Sequence, residues 1–379
     1  WGGAKKTPGS SRTRQTIHHH RASKPFLPLT FPTLVINAGS ATLKAALVAP
    51  GGDRPWQGAI AWQPQDPSTL EQQVKPWLLA AIAPWADELL LVAHRIVHGG
   101  SHCIDPIRLT ASTLAALEAL TPLAPLHNGP ALALVRALQG WLPPTTASWA
   151  CFDTAFHHTL PPEARTYALP ESWRQQGLRR YGFHGLNHQH IAEQLRVPRL
   201  LSCHLGGGSS LCAIRDGQSI ATTMGFTPLE GLVMASRSGS VDPGILLHQL
   251  RQGLSADQLE QALSQHSGLL GLSGFSGDMR VLRAAAADAI HPHQDGAQLA
   301  IGVFRHQLLA GIGAMAACLG GVDAIALTGG IGQHDGALRD ELEQALTWLQ
   351  PFALVQIAAR SEEHTSELQS HSDLVCRLL

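Results

Sequence analysis

The sequence predicts an α/β protein with two domains of one duplicated design and a ligand-binding cleft between them. The main observation is a pair of strand–turn–strand segments with glycine turns, at residues 34–47 and 200–214. When the two segments are superimposed, three positions match: Gly39, Leu43 and Ala45 fall on Gly207, Leu211 and Ala213. Such internal similarity indicates duplication, with a chance match of small or apolar residues as the alternative. A chain of 379 residues is long enough for two substantial cores.

The second glycine turn carries much of the expected chemistry. An apolar strand breaks at Gly206-Gly207-Gly208 and resumes at Ser209, and the next turn contains the Asp216-Gly217 pair of a tight hairpin. Glycine allows backbone N–H groups to approach an anion closely, and serine hydroxyls add donors. A hairpin with a glycine bulge would explain this turn alone. Further along, Arg237 lies in a loop of small residues, where a guanidinium can clamp phosphate or carboxylate.

Helix and strand patterns fill the rest of the first domain. Apolar periodicity predicts a helix over residues 68–85, a buried strand over 88–96, helices over 111–120 and 130–138, and a strand over 146–153. This last strand ends at Asp153. Because open α/β sheets place their chemistry at the carboxyl ends of strands, Asp153 is a candidate site residue. The strand over 88–96 ends in His94-Arg95.

The second domain continues the alternation. We expect helices over residues 187–195, 255–266, 298–319 and 335–349, with a further helix opening at residues 274–280. The helix after Ser255 begins with a capping box, because Gln258 follows three residues later. A strand over 323–327 leads into Thr328-Gly329-Gly330-Ile331-Gly332, and glycine-rich backbone after a buried strand is a plausible contact for nucleotide phosphates.

Both ends of the chain differ in character from the domains. Residues 1–30 are basic and contain no acidic residue, which fits either an organellar transit peptide or a translated upstream or vector segment. Residues 361–379 continue no predicted element, so we expect a non-native tail, with a real C-terminal helix as the alternative. The expected domains are therefore residues 31–157 and 158–360.

Composition excludes several classes of protein. A net charge of −1 argues against a partner that is nucleic acid or a membrane surface. The longest apolar run, Leu308 to Val322, is shorter than the roughly 18 residues that a membrane span needs. Six scattered cysteines without a C-x-x-C pair indicate free thiols in a reducing compartment. We therefore expect a cytoplasmic enzyme.

These motifs together resemble the acetate kinase family, within the acetate-and-sugar-kinase/Hsp70/actin group, from about residue 33 to residue 349. Beyond the two hairpins, the resemblance lies in 93–100 (AHRIVHGG), 123–128 (LAPLHN), 152–157 (FDTAFH), 180–185 (RYGFHG) and 327–332 (LTGGIG). It implies two RNase H-like α/β domains around an active-site cleft. It also implies reversible transfer of the γ-phosphoryl group of ATP to acetate or propionate, a Mg²⁺ or Mn²⁺ cofactor, and a homodimer.

The resemblance assigns roles residue by residue. The implied catalytic residues are Arg95, His127, Asp153, His184 and Arg237. Asn37 and Asp153 would hold the metal ion. The acyl pocket would be formed by Val97, Leu126, Phe183 and Pro228. Phosphate and nucleotide contacts would come from Asn37, Ser40, Thr42, Lys44, His204, Gly206, Gly207, Gly208, Asp278, Met279, Arg280, Gly330, Ile331 and Gly332.

The chain departs from the family pattern at several positions. Gly207 stands where the family has Asn, Gln333-His334 replaces Glu-Asn, and Leu186-Asn187 replaces Thr-Ser. The family's C-terminal Asn-Glu-Glu segment has no counterpart, because Glu362 and Glu363 lie in the foreign-looking tail. We therefore expect this polypeptide to be a poor enzyme.

Two other functions compete with a kinase. The spacing of His94 and His98, and of His184 and His188, could ligate zinc on a helix in a metal-dependent hydrolase. Neither pair has Glu after the first histidine, and the first pair falls on a predicted strand. A non-catalytic ATP-binding relative of the family is the other alternative.

Overall fold

A computed structural model describes residues 31–39, 42–50, 52–63 and 66–357, with the backbone alone at Pro67, Pro125 and Leu126. The expected leader, the expected tail and Ser40 lie outside these residues. Leu126 has no described side chain, so its expected place in the acyl pocket stays a prediction.

Two mixed β-sheets form the frame of the protein. The strands are β1 (Thr33–Ala38), β2 (Thr42–Val48), β3 (Trp56–Ala61), β4 (Leu91–Ile96), β5 (Ile107–Arg108), β6 (Ala147–Phe152), β7 (Arg199–Leu205), β8 (Ser209–Arg215), β9 (Gln218–Thr222), β10 (Ala324–Thr328) and β11 (Ala353–Gln356). The first sheet has the order β3-β2-β1-β4-β6-β5, and the second has the order β11-β10-β7-β8-β9. β1, β4 and β6 run parallel, as do β7, β10 and β11. The prediction of two α/β halves is confirmed, while the exact domain boundaries stay a prediction.

Helices connect these strands and cover the sheets. They are α1 (Pro67–Thr69), α2 (Lys75–Ile82), α3 (Ala111–Glu118), α4 (Pro125–Trp141), α5 (Pro162–Arg165), α6 (Glu171–Arg174), α7 (Gly185–Leu195), α8 (Pro243–Arg251), α9 (Ala256–Gln265), α10 (Gly268–Ser273), α11 (Met279–Ala287), α12 (Gln294–Leu319), α13 (Gly329–His334) and α14 (Gly336–Ala345). A π-turn at Leu70–Val74 joins α1 to α2, and short 3₁₀ turns cover Ala83–Trp85, Thr121–Leu123, Ala155–Thr159 and Thr347–Leu349.

Each sheet buries apolar residues on both faces. In the first sheet Leu34, Ile36, Leu43 and Ala45 face the larger cluster with the helices α2 to α4, and Val35 and Ala46 face the opposite side. Burial on both faces explains why these strands are almost continuously apolar rather than alternating. The second sheet repeats the arrangement, with α12 over one face and α7 over the other.

The two hairpins correspond to each other in three dimensions. Leu43 and Ala45 face the larger cluster of the first half, and Leu211 and Ala213 face that of the second. On the preceding strands, however, the equivalent inward residues are Ala38 and Leu205, one position out of step with the sequence alignment. Counted from these strand ends, Gly39 matches Gly206 rather than Gly207. The cross-strand pairing at the turn also differs, since Ala38 pairs with Leu43 and Leu205 pairs with Ser209.

Most predicted elements are present, with corrected boundaries. The helices over 68–85, 187–195 and 255–266 are observed, the last with its capping box intact at Ser255 and Gln258. The helix predicted over 130–138 begins earlier than expected, because α4 starts at Pro125. Proline is tolerated in the first turn of a helix, where its missing N–H has no intrahelical partner. The glycine-rich segment after β10 forms the short helix α13.

Some elements carried too little signal to be predicted. β3 and β11 are short edge strands of their sheets, and α8 has no buried residue along its length. Because α8 buries no face, its sequence lacks the apolar periodicity from which a helix is predicted.

The long helix α12 needs separate mention, because among the described residues it is the one helix long and apolar enough to cross a membrane. Its inward face contributes Phe304, Leu308 and Ile312 to the core of the second half. It packs against α10, α11 and β8. One face of α12 is therefore buried in this core, and the other residues of the helix are partly or fully exposed.

Candidate active site

The carboxyl ends of three parallel strands bring Asn37, Arg95 and Asp153 together. Asn37 pairs in register with Arg95, and Asp153 follows β6 directly. The guanidinium of Arg95 binds both carboxylate oxygens of Asp153, with Nε 2.9 Å from Oδ1 and Nη2 2.5 Å from Oδ2. Its third nitrogen, Nη1, donates to Asn37 Oδ1 at 3.0 Å. Asp153 is 1% exposed, so this bidentate pair compensates the cost of burying its charge.

The second half of the chain contributes His184 on the opposite side. His184 precedes α7 in the left-handed backbone region, with a φ of 57°. The next N–H, that of Gly185, donates to the carbonyl oxygen of Asp153 at 2.8 Å, and a Cβ at Gly185 would lie 2.2 Å from that oxygen. Only glycine allows this approach, which joins the first turn of α7 to the acidic end of β6.

A cavity of about 420 Å³ lies between these groups. It is lined by Asn37, Ala38, Gly39, Thr42, Lys44, Ala59, Arg95, Val97, His127, Asp153, Phe183, His184, Pro228 and Arg237. All five predicted catalytic residues are therefore brought to one cavity. The lining includes three cationic side chains, those of Lys44, Arg95 and Arg237, and one carboxylate, that of Asp153. This excess of positive charge suits an anionic ligand.

His127 reaches the cavity from the first turn of α4, and its neighbour Asn128 fixes that turn. Asn128 Nδ2 donates to the carbonyl oxygen of His98 at 2.9 Å, and His98 N donates to Asn128 Oδ1 at 3.1 Å. Asn128 is fully buried. Sequence reasoning placed Asn128 within a motif but assigned it no role, since a lone Asn carries no signal of a buried two-way backbone bond.

An apolar wall closes one side of the cavity. Val97 and Phe183 are 7% and 1% exposed and form a cluster with Met224 and Met234, two residues that the sequence did not single out. Pro228 also lines the cavity, and its carbonyl oxygen lies 3.4 Å from Arg237 Nη1.

Arg180 holds the segment that carries Met224 and Pro228. Its Nη1 donates to the carbonyl oxygens of Thr223 and Met224 at 2.9 Å each, and its Nη2 lies 2.5 Å from Glu230 Oε1. The Arg180–Glu230 ion pair therefore supports the pocket, although sequence reasoning assigned neither residue a role.

The glycine turn after β7 lies beside His184 and Arg237. A Cβ at Gly208 would be 3.2 Å from His184 Nε2 and 3.7 Å from Arg237 Nη1, whereas a Cβ at Gly207 would meet no atom within 4 Å. Gly206 faces the backbone N of Gly330, because β7 and β10 are parallel neighbours with His204 paired to Thr328. The two predicted phosphate-binding turns thus lie side by side.

His204 lies between these turns and His184. Its ring centroid is 4.4 Å from that of His184, and its Nδ1 lies 3.3 Å from Thr328 Oγ1. Gly329, the next residue, has a φ of 78°, and a Cβ there would lie 2.4 Å from the carbonyl oxygen of Leu205.

The third predicted nucleotide segment lies at the start of α11. Asp278 caps that helix and forms an exposed ion pair with Arg280 at 2.6 Å, which lowers the pKa of the Asp278 carboxyl. The side chain of Met279 is buried in the core, and the partly buried side chain of Ile331 packs against it. Arg283 links α11 to Asp335, just after α13, at 3.1 Å.

Two buried histidines join the halves behind the cavity. His157 lies 2.8 Å from Ser219 Oγ and 2.9 Å from the Phe183 carbonyl oxygen, and burial lowers its pKa to about 4. His98 packs edge-on against Tyr181 with a centroid distance of 4.5 Å. Burial, with a smaller contribution from the charge of Arg179, lowers the pKa of His98 to about 4 as well.

The zinc-hydrolase alternative has no support in this geometry. Both ring nitrogens of His188 are hydrogen-bonded to serine hydroxyls, and His98 Nδ1 accepts from the backbone N–H of Gly100. Within the part of the chain that the structure describes, no group of three or more His, Cys, Asp or Glu side chains is arranged to hold a metal ion.

Comparison with known proteins identifies one family. A model of the acetokinase family matches residues 59–354. An acetate kinase from a Synechococcus species is 44% identical over 346 residues, which cover 81% of this chain and 85% of that protein.

Solved structures give the same result. A crystal structure of Porphyromonas gingivalis acetate kinase has a TM-score of 0.78 at 28% identity and covers 92% of this chain and 100% of its own. A propionate kinase from Francisella tularensis also has a TM-score of 0.78, at 27% identity, covering 90% of this chain and 98% of its own.

Proposed function

The chain belongs to the acetokinase family, and from this premise we propose how its cavity transfers the γ-phosphoryl group of ATP to a short-chain carboxylate. The products are an acyl phosphate and ADP. The observation that carries the proposal is the convergence of Arg95 and Arg237, from different halves of the chain, on one cavity that also contains Asp153 and His184.

The reaction requires few catalytic functions from the protein. A carboxylate is ionised and nucleophilic at neutral pH, so the reaction needs no general base. What remains is to position the carboxylate in line with the phosphoryl group and to stabilise the negative charge spread over that group in the transition state. Preorganised cationic and N–H donors in a water-poor cavity supply this stabilisation.

Each residue then has a role in this scheme. Arg95 is held rigidly by Asp153 and Asn37, and with Arg237 it presents guanidinium N–H groups to the transferred phosphoryl group. His184 and His127 donate further hydrogen bonds. The turns at Gly206–Gly208 and Gly330–Gly332 offer backbone N–H groups to the nucleotide phosphates, and Asp278 and Arg280 bound the nucleotide site.

The oxygen donors of this cavity fit Mg²⁺ or Mn²⁺. Asp153 and Asn37 are nearly fully buried and present carboxylate and amide oxygens, the hard ligands that these ions prefer. One or two protein ligands suffice for an ion that also binds nucleotide phosphates. When bound, the ion would neutralise phosphate charge, and the Arg95–Asp153 pair would keep the carboxylate oriented toward it.

We further propose acetate or propionate as the acceptor. The apolar wall of Val97, Phe183 and Pro228 accommodates an alkyl group of one or two carbons beside the cationic end of the cavity. Such a wall discriminates weakly, because one methylene group is worth only about 1–3 kcal/mol.

Hydroxylamine trapping of the acyl phosphate tests the proposed reaction directly. The protein is incubated with ATP, Mg²⁺ and either acetate or propionate, and Arg237→Ala serves as the site variant. Arg136→Ala is a matched control, because the Arg136 side chain is 61% exposed and does not line the cavity. Hydroxamate from the wild type and from Arg136→Ala, and little from Arg237→Ala, supports the proposal. Because we expect the tail to impair activity, the assay is repeated with a chain in which residues 361–379 are replaced by a family-like C-terminus. Nucleotide binding without hydroxamate in both proteins would instead favour a non-catalytic relative.

We also propose a homodimer that forms through α8. The family resemblance implies a second copy, and α8 presents Ile245, Leu247 and Leu250 to the surface with exposures of 52%, 52% and 43%. Ile245→Asp should shift the sedimentation coefficient to that of a monomer, whereas Ile290→Asp, at a residue 91% exposed elsewhere, should not. A monomeric wild type would refute this proposal.

A cytoplasmic location agrees with the state of the cysteines. The five described cysteines are free thiols, and burial raises the pKa of Cys151 and of Cys212 to about 12. Thiols of this kind are typical of a reducing compartment.

A further inference from the structure

A chain of buried hydroxyl and imidazole groups extends from the catalytic histidine into the second half of the protein. His184 Nδ1 lies 2.9 Å from Ser210 Oγ, and His188 Nε2 lies 2.8 Å from the same oxygen. On the far side of its ring, His188 Nδ1 lies 2.9 Å from Ser202 Oγ. Ser202, Ser210 and His188 are all 0% exposed, so water does not complete their hydrogen bonds.

The Ser202 end of this hydrogen-bond chain determines which groups donate and which accept. Among the described residues, the Ser202 hydroxyl has one hydrogen-bond partner, His188 Nδ1. A buried hydroxyl that fails to donate loses free energy, so Ser202 donates and His188 Nδ1 accepts. A neutral imidazole with an accepting Nδ1 carries its proton on Nε2. His188 Nε2–H therefore donates to Ser210 Oγ.

The direction of the last hydrogen bond, between Ser210 and His184, then follows. Ser210 has a single hydroxyl hydrogen, and its oxygen already accepts from His188, so the hydrogen is donated to His184 Nδ1. Burial, followed by the nearby His157, His184 and His204, lowers the pKa of His188 well below 6.5. This keeps His188 in the neutral form that the chain requires.

We propose that Ser202, His188 and Ser210 are positioning residues that hold His184 in the tautomer with its proton on Nε2. The catalytic consequence rests on the proposed function, whereas the tautomer itself does not. Nε2 is the ring nitrogen nearest the glycine turn, since a Cβ at Gly208 would lie 3.2 Å from it. These hydrogen bonds thus make His184 Nε2–H a donor toward the place where the phosphoryl oxygens accumulate negative charge.

The opposite tautomer of His184 would weaken the interaction with the phosphoryl group. With its proton on Nδ1, His184 would present the Nε2 lone pair to an anionic phosphoryl group and would repel it. A side chain that fixes a histidine tautomer by bonding to the other ring nitrogen is a known means of preventing this. Neither Ser202 nor Ser210 lines the cavity, so their influence passes through the rings of His188 and His184.

Nitrogen NMR of ¹⁵N-histidine-labelled protein tests the tautomer directly and needs no substrate. The His184 resonances are assigned by their loss in His184→Gln. We expect protonated Nε2 and unprotonated Nδ1 for both His184 and His188. A proton on Nδ1 of His184 in the wild type would overturn the proposal, whether or not the protein proves to be a kinase.

Kinetics of matched variants tests the consequence. Ser210→Ala removes the donor to His184 and should lower kcat about tenfold or more with little change in KM for ATP or carboxylate, together with a mixed tautomer signal for His184. Ser219→Ala removes a hydroxyl that is equally buried but bonds to His157, and it should leave kcat and the His184 signal unchanged.

Substitution of His188 separates positioning from packing. His188→Gln keeps an N–H group near the place of Nε2 and should retain most of the wild-type kcat, whereas His188→Leu should behave like Ser210→Ala. Equal kcat in the wild type, Ser210→Ala and His188→Leu would show that the hydrogen bonds from Ser202 to Ser210 have no influence on His184. So would an unchanged His184 signal in these two variants.

Discussion

At the scale of single residues, the site depends on charges that are held in place before any ligand arrives. Arg95 is fixed by three hydrogen bonds to Asp153 and Asn37 and has a side chain only 11% exposed. A guanidinium with so little freedom reorganises little during the reaction, which is the condition for strong electrostatic stabilisation of a transition state.

Removal of either cavity arginine should therefore lower kcat by about 10²–10³-fold or more. Arg95→Lys should be nearly as damaging as Arg95→Ala, because an ammonium cannot bond Asp153 at two points and Asn37 at a third. Steady-state kinetics of purified variants would measure this, with circular dichroism to verify folding. A kcat close to that of the wild type in Arg95→Ala and Arg237→Ala would contradict the assignment.

Acyl selectivity is also set by single residues. Val97 is a branched side chain packed with Phe183, Met224 and Met234. Val97→Ala should enlarge the pocket and raise kcat/KM for propionate relative to acetate on the order of tenfold, the scale of one methylene contact. Ala93→Gly, on β4 but facing the opposite cluster of the sheet, serves as the control. If the ratio of the two kcat/KM values is the same in Val97→Ala and in the wild type, Val97 does not line the acyl site.

At the scale of elements, the turn after β7 determines how closely backbone can approach the transferred group. Its three glycines are not equivalent. Gly208 has His184 and Arg237 within van der Waals reach of a Cβ, and Gly207 faces open space.

Gly208→Ala should therefore displace His184 or Arg237 by a few tenths of an ångström and lower kcat about 10²-fold, the usual effect of misplacing a group in a near-attack geometry. Gly207→Ala in the same turn should have a much smaller effect, since its methyl group meets nothing within 4 Å. Similar losses in the two variants would mean that backbone flexibility, rather than the space beside His184, is what the turn requires.

At the scale of the whole molecule, histidines bind the two halves together. His157, after β6, bonds to Ser219 of β9 and to the Phe183 carbonyl oxygen, and His98 packs on Tyr181. Both have a pKa lowered to about 4 by burial, against an ordinary value of 6.5. Protonation of either ring would place a charge in this buried junction.

Stability should accordingly decrease as pH falls from 6.5 to 4. In that window the unfolded chain binds protons that the folded chain does not, so each histidine lowers the free energy of unfolding by up to about 1.4 kcal/mol per pH unit. Urea unfolding midpoints at pH 7 and pH 5 would measure this.

His157→Gln should reduce the pH dependence of the unfolding midpoint, because the titrating group is gone. Ser219→Ala should lower stability at every pH but keep the pH dependence, since it breaks the same hydrogen bond and leaves the imidazole in place. An identical pH dependence in His157→Gln and the wild type would contradict the argument.

The sequence by itself determined the two α/β halves, the hairpins with glycine turns and the family. These features depend on local patterns: apolar runs that are buried on both faces, glycine between strands, and short motifs with chemistry in them. Arg95 and Asp153 stand at predicted strand ends and Arg237 in a small-residue loop, whereas His184 is suggested only by its place in a motif of the family.

Only the tertiary structure decided which groups touch. Asn128, Arg180, Met224 and Met234 support the site through contacts between residues far apart in the chain, which no local pattern records. The direction of the hydrogen-bond chain from Ser202 to His184 depends on burial and on the number of partners at each atom. These are properties of packing in three dimensions, so the sequence could supply the histidine but not the tautomer that its neighbours impose.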